Sequence, residues 1–110
     1  GRIIGHELHG NVSKAYSEWI WLPPGFAHGA MLTEESVIEY FCTGTYSPDC
    51  EAAVSPLAED IDWSYCDAYI KDEFDKLFAG PVVIKDRDRN AQTLCQWKAN
   101  PNSENFIGIE

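Results

Sequence analysis

Three histidines, His6, His9 and His28, stand in a chain of 110 residues, and one of them follows a stiffened corner. In "LPPGFAHG", Pro23, Pro24 and Gly25 fix the backbone, after which strand alternation places Phe26, His28 and Ala30 on one face. An imidazole so placed admits two readings: a hydrogen-bonded histidine among apolar neighbours, or a ligand-facing group at the mouth of a cavity. Tyr40, midway along "SVIEYFCT", shares a face with Ile38 and Cys42. It is either a packing residue whose hydroxyl finds one partner or a phenolic acid that delivers a proton inside a pocket. "IKDRDRN" crowds Asp86, Arg87, Asp88 and Arg89 together. A solvated charge run is the commoner cause of such a pattern. The chemical alternative is a carboxylate held against a histidine, beside a guanidinium aimed at a phosphate.

"HELH" brings His6, Glu7 and His9 close in sequence and suggests metal binding at first sight. Positions three apart point to opposite sides of a strand, and no further His-x-His or metal-spaced carboxylate follows, so the spacing argues against a metal site. Cys42, Cys50, Cys66 and Cys95 form no Cys-x-x-Cys pair and no zinc-ribbon spacing. No secretory segment precedes them, so reduced thiols in the cytoplasm are expected. No metal and no cofactor is implied by any of these patterns.

The elements that would position these groups are strands. Over 1–46, short runs rich in Ile, Val, Trp, Phe and Tyr alternate with turn residues: "RIIGHEL", "HGNVSK", "WIWL", "PPG", "FAHGAML", "TEE" and "SVIEYFCT". That is the pattern of antiparallel strands in a β-sandwich or barrel, and an all-β domain is the expectation. "YSPDCEAAVSPLAEDIDW" reads as an irregular connection with one helical turn at most. In "CDAYIKDEFDKLFAG", Tyr69, Ile70, Phe74, Leu77 and Phe78 fall near helical spacing, with Gly80 and Pro81 as a stop, so a short acidic surface helix is expected. "PVVIKD" returns to strand, Asn90 is available to cap a last helix in "AQTLCQWKAN", and "NPNSENFIGIE" reads as irregular.

With 8 basic against 18 acidic residues, the formal charge is −10. Such a field repels nucleic-acid phosphates and anionic membranes, which argues against both as partners. A phosphate-bearing small molecule stays within reach, because a few local cations outweigh the global field at short range. No apolar run approaches the roughly 20 residues of a bilayer span. The length suits a single domain over 1–110, and since the chain opens at Gly1 without an initiator Met, a fragment is the expectation.

Taken in order, "WIWLPPGFAHG", "VIEYFCTGTYSPDCE", "IDW" and "KDRDRNAQTL" resemble the C-terminal portion of the dTDP-4-dehydrorhamnose 3,5-epimerases, enzymes of dTDP-sugar biosynthesis. The resemblance spans most of 1–94, with 66–80 longer than the family pattern and read as an inserted surface element. It implies a cupin-like jelly-roll β-barrel, here partial, with short C-terminal helices. It further implies a homodimer, a metal-free cavity and a dTDP-4-keto-6-deoxy sugar as substrate. The implied reaction inverts carbons 3 and 5, which flank the ketone, by proton abstraction to an enolate and reprotonation from the opposite face. Carried over residue by residue, Tyr40 matches the tyrosine that reprotonates the enolate, and Asp88 the aspartate that orients the catalytic histidine. His28 matches a substrate-contacting histidine. Tyr46 matches a tyrosine lining the nucleotide end, and Glu51 and Arg87 fall at substrate-binding positions. The family's base lies in an "Arg-Gly-Leu-His" type segment, upstream of where this sequence begins. Neither His6 nor His9 matches it, so the 110 residues alone are expected to be incomplete for catalysis. A 3-only or 5-only epimerase shares these motifs. A truncated cupin that binds nucleotide sugar without turnover is the non-catalytic alternative, and a metal-dependent cupin the outsider.

Overall fold

Helix α1, Ala68–Ala79, forms where the apolar spacing predicts it. The structure is a computed structural model that describes residues 2–10 and 17–106. The Asp67 carbonyl accepts from the Ile70 and Lys71 amides to open α1. Lys71 pairs with Asp75 and Lys76 with Glu73 along the helix. At its end the Gly80 amide donates to the Leu77 carbonyl, and Pro81 cannot extend the ladder. Its apolar stripe docks on Trp63: the Trp63 and Phe74 rings lie 4.7 Å apart, and Phe74 and Phe78 4.5 Å apart. The Lys71 ammonium sits 5.1 Å from the centre of the Trp63 ring. On its other flank α1 meets the start of the chain, where Gly5 has no side chain to obstruct Cys66 and Ile70.

The second helical region is built on the charge run. Asp86–Arg89 forms a four-residue helix, α2, at the end of "PVVIKD", which was expected as a strand and forms none. Acidic residues in its first turn and basic ones in its last suit the helix dipole. Helix α3, Leu94–Ala99, follows after a break, and its cap is Thr93 rather than Asn90. Thr93 and Gln96 satisfy each other's backbone amides in a capping box. Asp60 adds a second anchor, its two carboxylate oxygens accepting from the Leu94 and Cys95 amides at 3.1 and 2.7 Å. Those bonds, Cys95 first, hold the Asp60 carboxyl below its ordinary pKa. The expected irregular tail is instead a 3-10 helix over Pro101–Asn105, opened by the Asn100 side chain, before Phe106 packs edge-on against Trp97 at 5.2 Å. Residues 107–110 of that tail, and most of "HGNVSK", lie outside the described residues.

The expectation of an all-β, cupin-like jelly-roll β-barrel is not met. Among the described residues there is no strand, only two isolated parallel bridges, Arg2 with Asp62 and Val54 with Gln92. The physical reason is that alternation specifies which side chains share a face but not which backbone pairs with which. The runs around 19–22, 26–32 and 37–42 carry the alternation and find no ladder partner. Their side chains stay exposed, Val37 at 95%, Phe41 at 81% and Trp21 at 70%. Among the described residues no apolar side chain is fully buried. The radius of gyration, 15.3 Å, exceeds the about 13 Å expected for a compact domain of this length. The accessible surface, 9686 Å², likewise exceeds the about 6,100 Å² expected of a folded chain of this size.

Candidate functional site

Four of the six residues singled out by the motifs meet in one network. Tyr46 donates its hydroxyl to Oε2 of Glu51 at 3.2 Å. The same oxygen accepts from Arg87 Nη1, also at 3.2 Å, across 36 residues of sequence. Arg87 Nε in turn donates to Oδ1 of its neighbour Asp88 at 3.3 Å. The guanidinium thus spans two carboxylates, and its pKa is raised, by Asp88 first and then by Glu51. A short 3-10 turn over Pro48–Cys50 makes this possible by folding Tyr46 back toward Glu51.

The two segments that carry the network lie side by side because of contacts on the far side of Val54. The Ser55 amide donates to the Gln92 carbonyl at 3.0 Å, and Ser55 Oγ donates to the Arg89 carbonyl at 2.9 Å. Sequence reasoning passed over Ser55, whose only signal was a Ser-Pro pair inside an irregular acidic stretch. A cavity of about 430 Å³ opens beside this clip, lined by Ser55, Asp60, Arg89 and Thr93 among others. None of the six motif residues lines it, so it is not the site the motifs describe.

Tyr40 and His28 stand apart from the network. Tyr40 is 80% exposed, on a run whose Phe41 ring meets Trp19 at 5.5 Å. The corner before His28 does form as a turn: Gly25 has φ 88°, and the Phe26 amide reaches the Pro23 carbonyl at 3.4 Å. Pro at the first central position and a glycine of positive φ at the second are the requirements of a type II turn. Beyond it, His28 is exposed and its Nδ1 lies 3.4 Å from the Phe26 carbonyl. A small apolar hollow of about 90 Å³ separates Gly25 and Ala27 from Val54 and Trp97, so the corner approaches the segment that follows Glu51.

The "HELH" stretch has a different role. His9 Nδ1 lies 3.2 Å from Glu18 Oε2, which also accepts from the His9 amide at 2.6 Å. That amide is the first cause of a lowered Glu18 pKa. Glu7 accepts from the Tyr69 hydroxyl at 3.0 Å, which raises the Tyr69 pKa and ties α1 to the start of the chain.

A search of curated proteins and a search of solved structures each returned no match. A family model, described as dTDP-4-dehydrorhamnose 3,5-epimerase, matches residues 2–96, which takes in the Pro-Pro-Gly corner, the Tyr46–Glu51 turn and the Arg87–Asp88 helix. With that span matched from end to end of the network, the chain belongs to the dTDP-4-dehydrorhamnose 3,5-epimerase family, whose activity is the isomerisation of dTDP sugars.

Proposed function

We propose that this chain supplies the proton-donating and diphosphate-binding residues of an epimerase that inverts carbons 3 and 5 of a dTDP-4-keto-6-deoxy-hexose. The observation that carries the reading is the shared Glu51 oxygen, which draws Tyr46 and Arg87 to one point with Asp88 adjoining. Arg87 offers a diphosphate a planar pair of donors with its charge assured, and Tyr46 offers a nucleobase an aromatic face beside it. The protons on carbons 3 and 5 are acidified by the carbon 4 ketone. Removal of one leaves its electron pair in an enolate, with negative charge on the ketone oxygen. Tyr40 then gives its phenolic proton to the carbon from the opposite face and regains one from solvent. Asp88 orients the histidine that takes the first proton, and that histidine is assigned to no residue of this chain. His28 contacts the sugar.

Solvent-deuterium incorporation by the native protein tests these roles. Tyr40→Phe and Asp88→Asn are each expected to slow it by about 10²–10⁴-fold, the usual contribution of a positioned acid or base. Full activity in both variants overturns the assignments. A second reading, binding without turnover, is favoured by the position of Tyr40 and His28 outside the network. It predicts uptake of dTDP with no deuterium exchange at either carbon. The configuration of the product separates inversion at both carbons from inversion at one.

The exposed run of Trp19, Trp21, Val37 and Phe41 supports a homodimer as the working form. The Trp19 and Phe41 rings meet at 5.5 Å, and apolar surface left exposed in this amount is uncommon on a monomer and is covered by association.

A further inference from the structure

We propose that Ser55 is a positioning residue that holds the Asp88-bearing helix in register with Glu51. The proposal rests on the reading of Asp88 given above. Among the described residues, Ser55 is the one buried polar side chain, 5% exposed. All of its hydrogen-bonding groups are engaged. Its amide donates to the Gln92 carbonyl at 3.0 Å and its carbonyl accepts from the Ala58 amide at 3.1 Å. Its Oγ donates to the Arg89 carbonyl at 2.9 Å and accepts from the Leu57 amide at 3.2 Å. Pro56, with no amide hydrogen, adds no competing donor.

Helix α2 cannot hold itself. A helix of four residues has barely passed nucleation, and no side chain caps its start. The Arg89 carbonyl is one of its unpaired last acceptors, and Ser55 Oγ satisfies it from outside. At the other end of the same two segments lies the Arg87–Glu51 pair, exposed on both sides and therefore weak in isolation. The buried Ser55 clip, with the Val54–Gln92 bridge beside it, is what keeps that pair and Asp88 in place. Loss of Oγ would take away the part-buried partner of both the Arg89 carbonyl and the Leu57 amide, and α2 would shift to recover partners.

The test is the rate of deuterium incorporation per folded molecule at saturating dTDP-4-keto-6-deoxy-hexose. It is compared in the native protein and in its Ser55→Ala, Ser55→Cys, Ser55→Thr and Asp88→Asn variants. Ser55→Ala is expected to lose about tenfold or more in kcat, and Ser55→Thr, which keeps the hydroxyl, to recover to within about threefold. Ser55→Cys keeps the shape with a much weaker donor and decides the matter if the alanine variant does not fold. A folded Ser55→Ala or Ser55→Cys with wild-type kcat, or a loss that only tracks the unfolded fraction, overturns the proposal. If Asp88→Asn retains full activity, the underlying reading of Asp88 fails instead, and the proposal falls with it.

Discussion

At the scale of single residues, the site turns on one oxygen. Glu51 Oε2 accepts from both Tyr46 and Arg87, so charge and aromatic surface are delivered to one place by residues that are far apart in sequence. Charge-assisted hydrogen bonds to an anion contribute about 1.5–3 kcal/mol each. Arg87→Gln is therefore expected to weaken dTDP binding by about tenfold or more, read by titration calorimetry, and an unchanged Kd contradicts the assignment of Arg87 to the diphosphate. The ordered motifs name Glu51, Arg87 and Asp88, but not the hydrogen bonds that join them. Ser55 was not, because burial and pairing are properties of the fold and a Ser-Pro pair in a loop carries neither. Thr93 was legible and was passed over: "TLCQ" is a capping box, and its reciprocal bonds outcompete the more obvious Asn90.

At the scale of elements, α1 and α3 were readable, while α2, the 3-10 helix over Pro101–Asn105 and the absence of strands among the described residues were not. The apolar spacing and the Gly-Pro stop of α1 lie within one stretch of chain, so the local sequence suffices to specify it. A strand exists only with a partner, and the alternation in 17–46 does not name one. How α1 docks depends on Gly5, where an added Cβ would lie 2.6 Å from Cys66 Sγ and 2.9 Å from Ile70 Cγ2. Gly5→Ala is expected to cost about 1–3 kcal/mol by overpacking, measured by urea unfolding followed through Trp63 and its neighbours. No loss of stability would show that α1 does not rest on this glycine. Helix α3 gives a pH-dependent counterpart. The Asp60 pKa is lowered in the folded chain, by the Cys95 amide first, so its stabilising effect is complete above the unfolded value near 4 and fades as the pH falls through the folded value. The Cys95 amide is thus expected to stay protected from exchange at about pH 4 and to lose protection below it. In Asp60→Asn the protection is expected to be weaker and flat over the same range. A wild-type profile that is equally flat contradicts the anchor.

At the scale of the whole molecule, surface outweighs interior. A radius of gyration of 15.3 Å and the exposed Trp19, Trp21, Val37 and Phe41 describe a chain that leaves much of its apolar surface uncovered. Among the described residues no helix is long and apolar enough to cross a membrane. Association of two copies through that surface is expected to give a dimer mass in sedimentation equilibrium, and Val37→Glu to shift it toward monomer; a monomeric native protein rules it out. The central claim, that this chain works in the epimerisation of a dTDP-4-keto-6-deoxy-hexose, is tested most directly by proton NMR of that sugar nucleotide with the native protein in deuterium oxide. The account predicts loss of the signals of the protons on carbons 3 and 5 and the appearance of the inverted product. Persistence of both signals, with the nucleotide sugar bound, would contradict it.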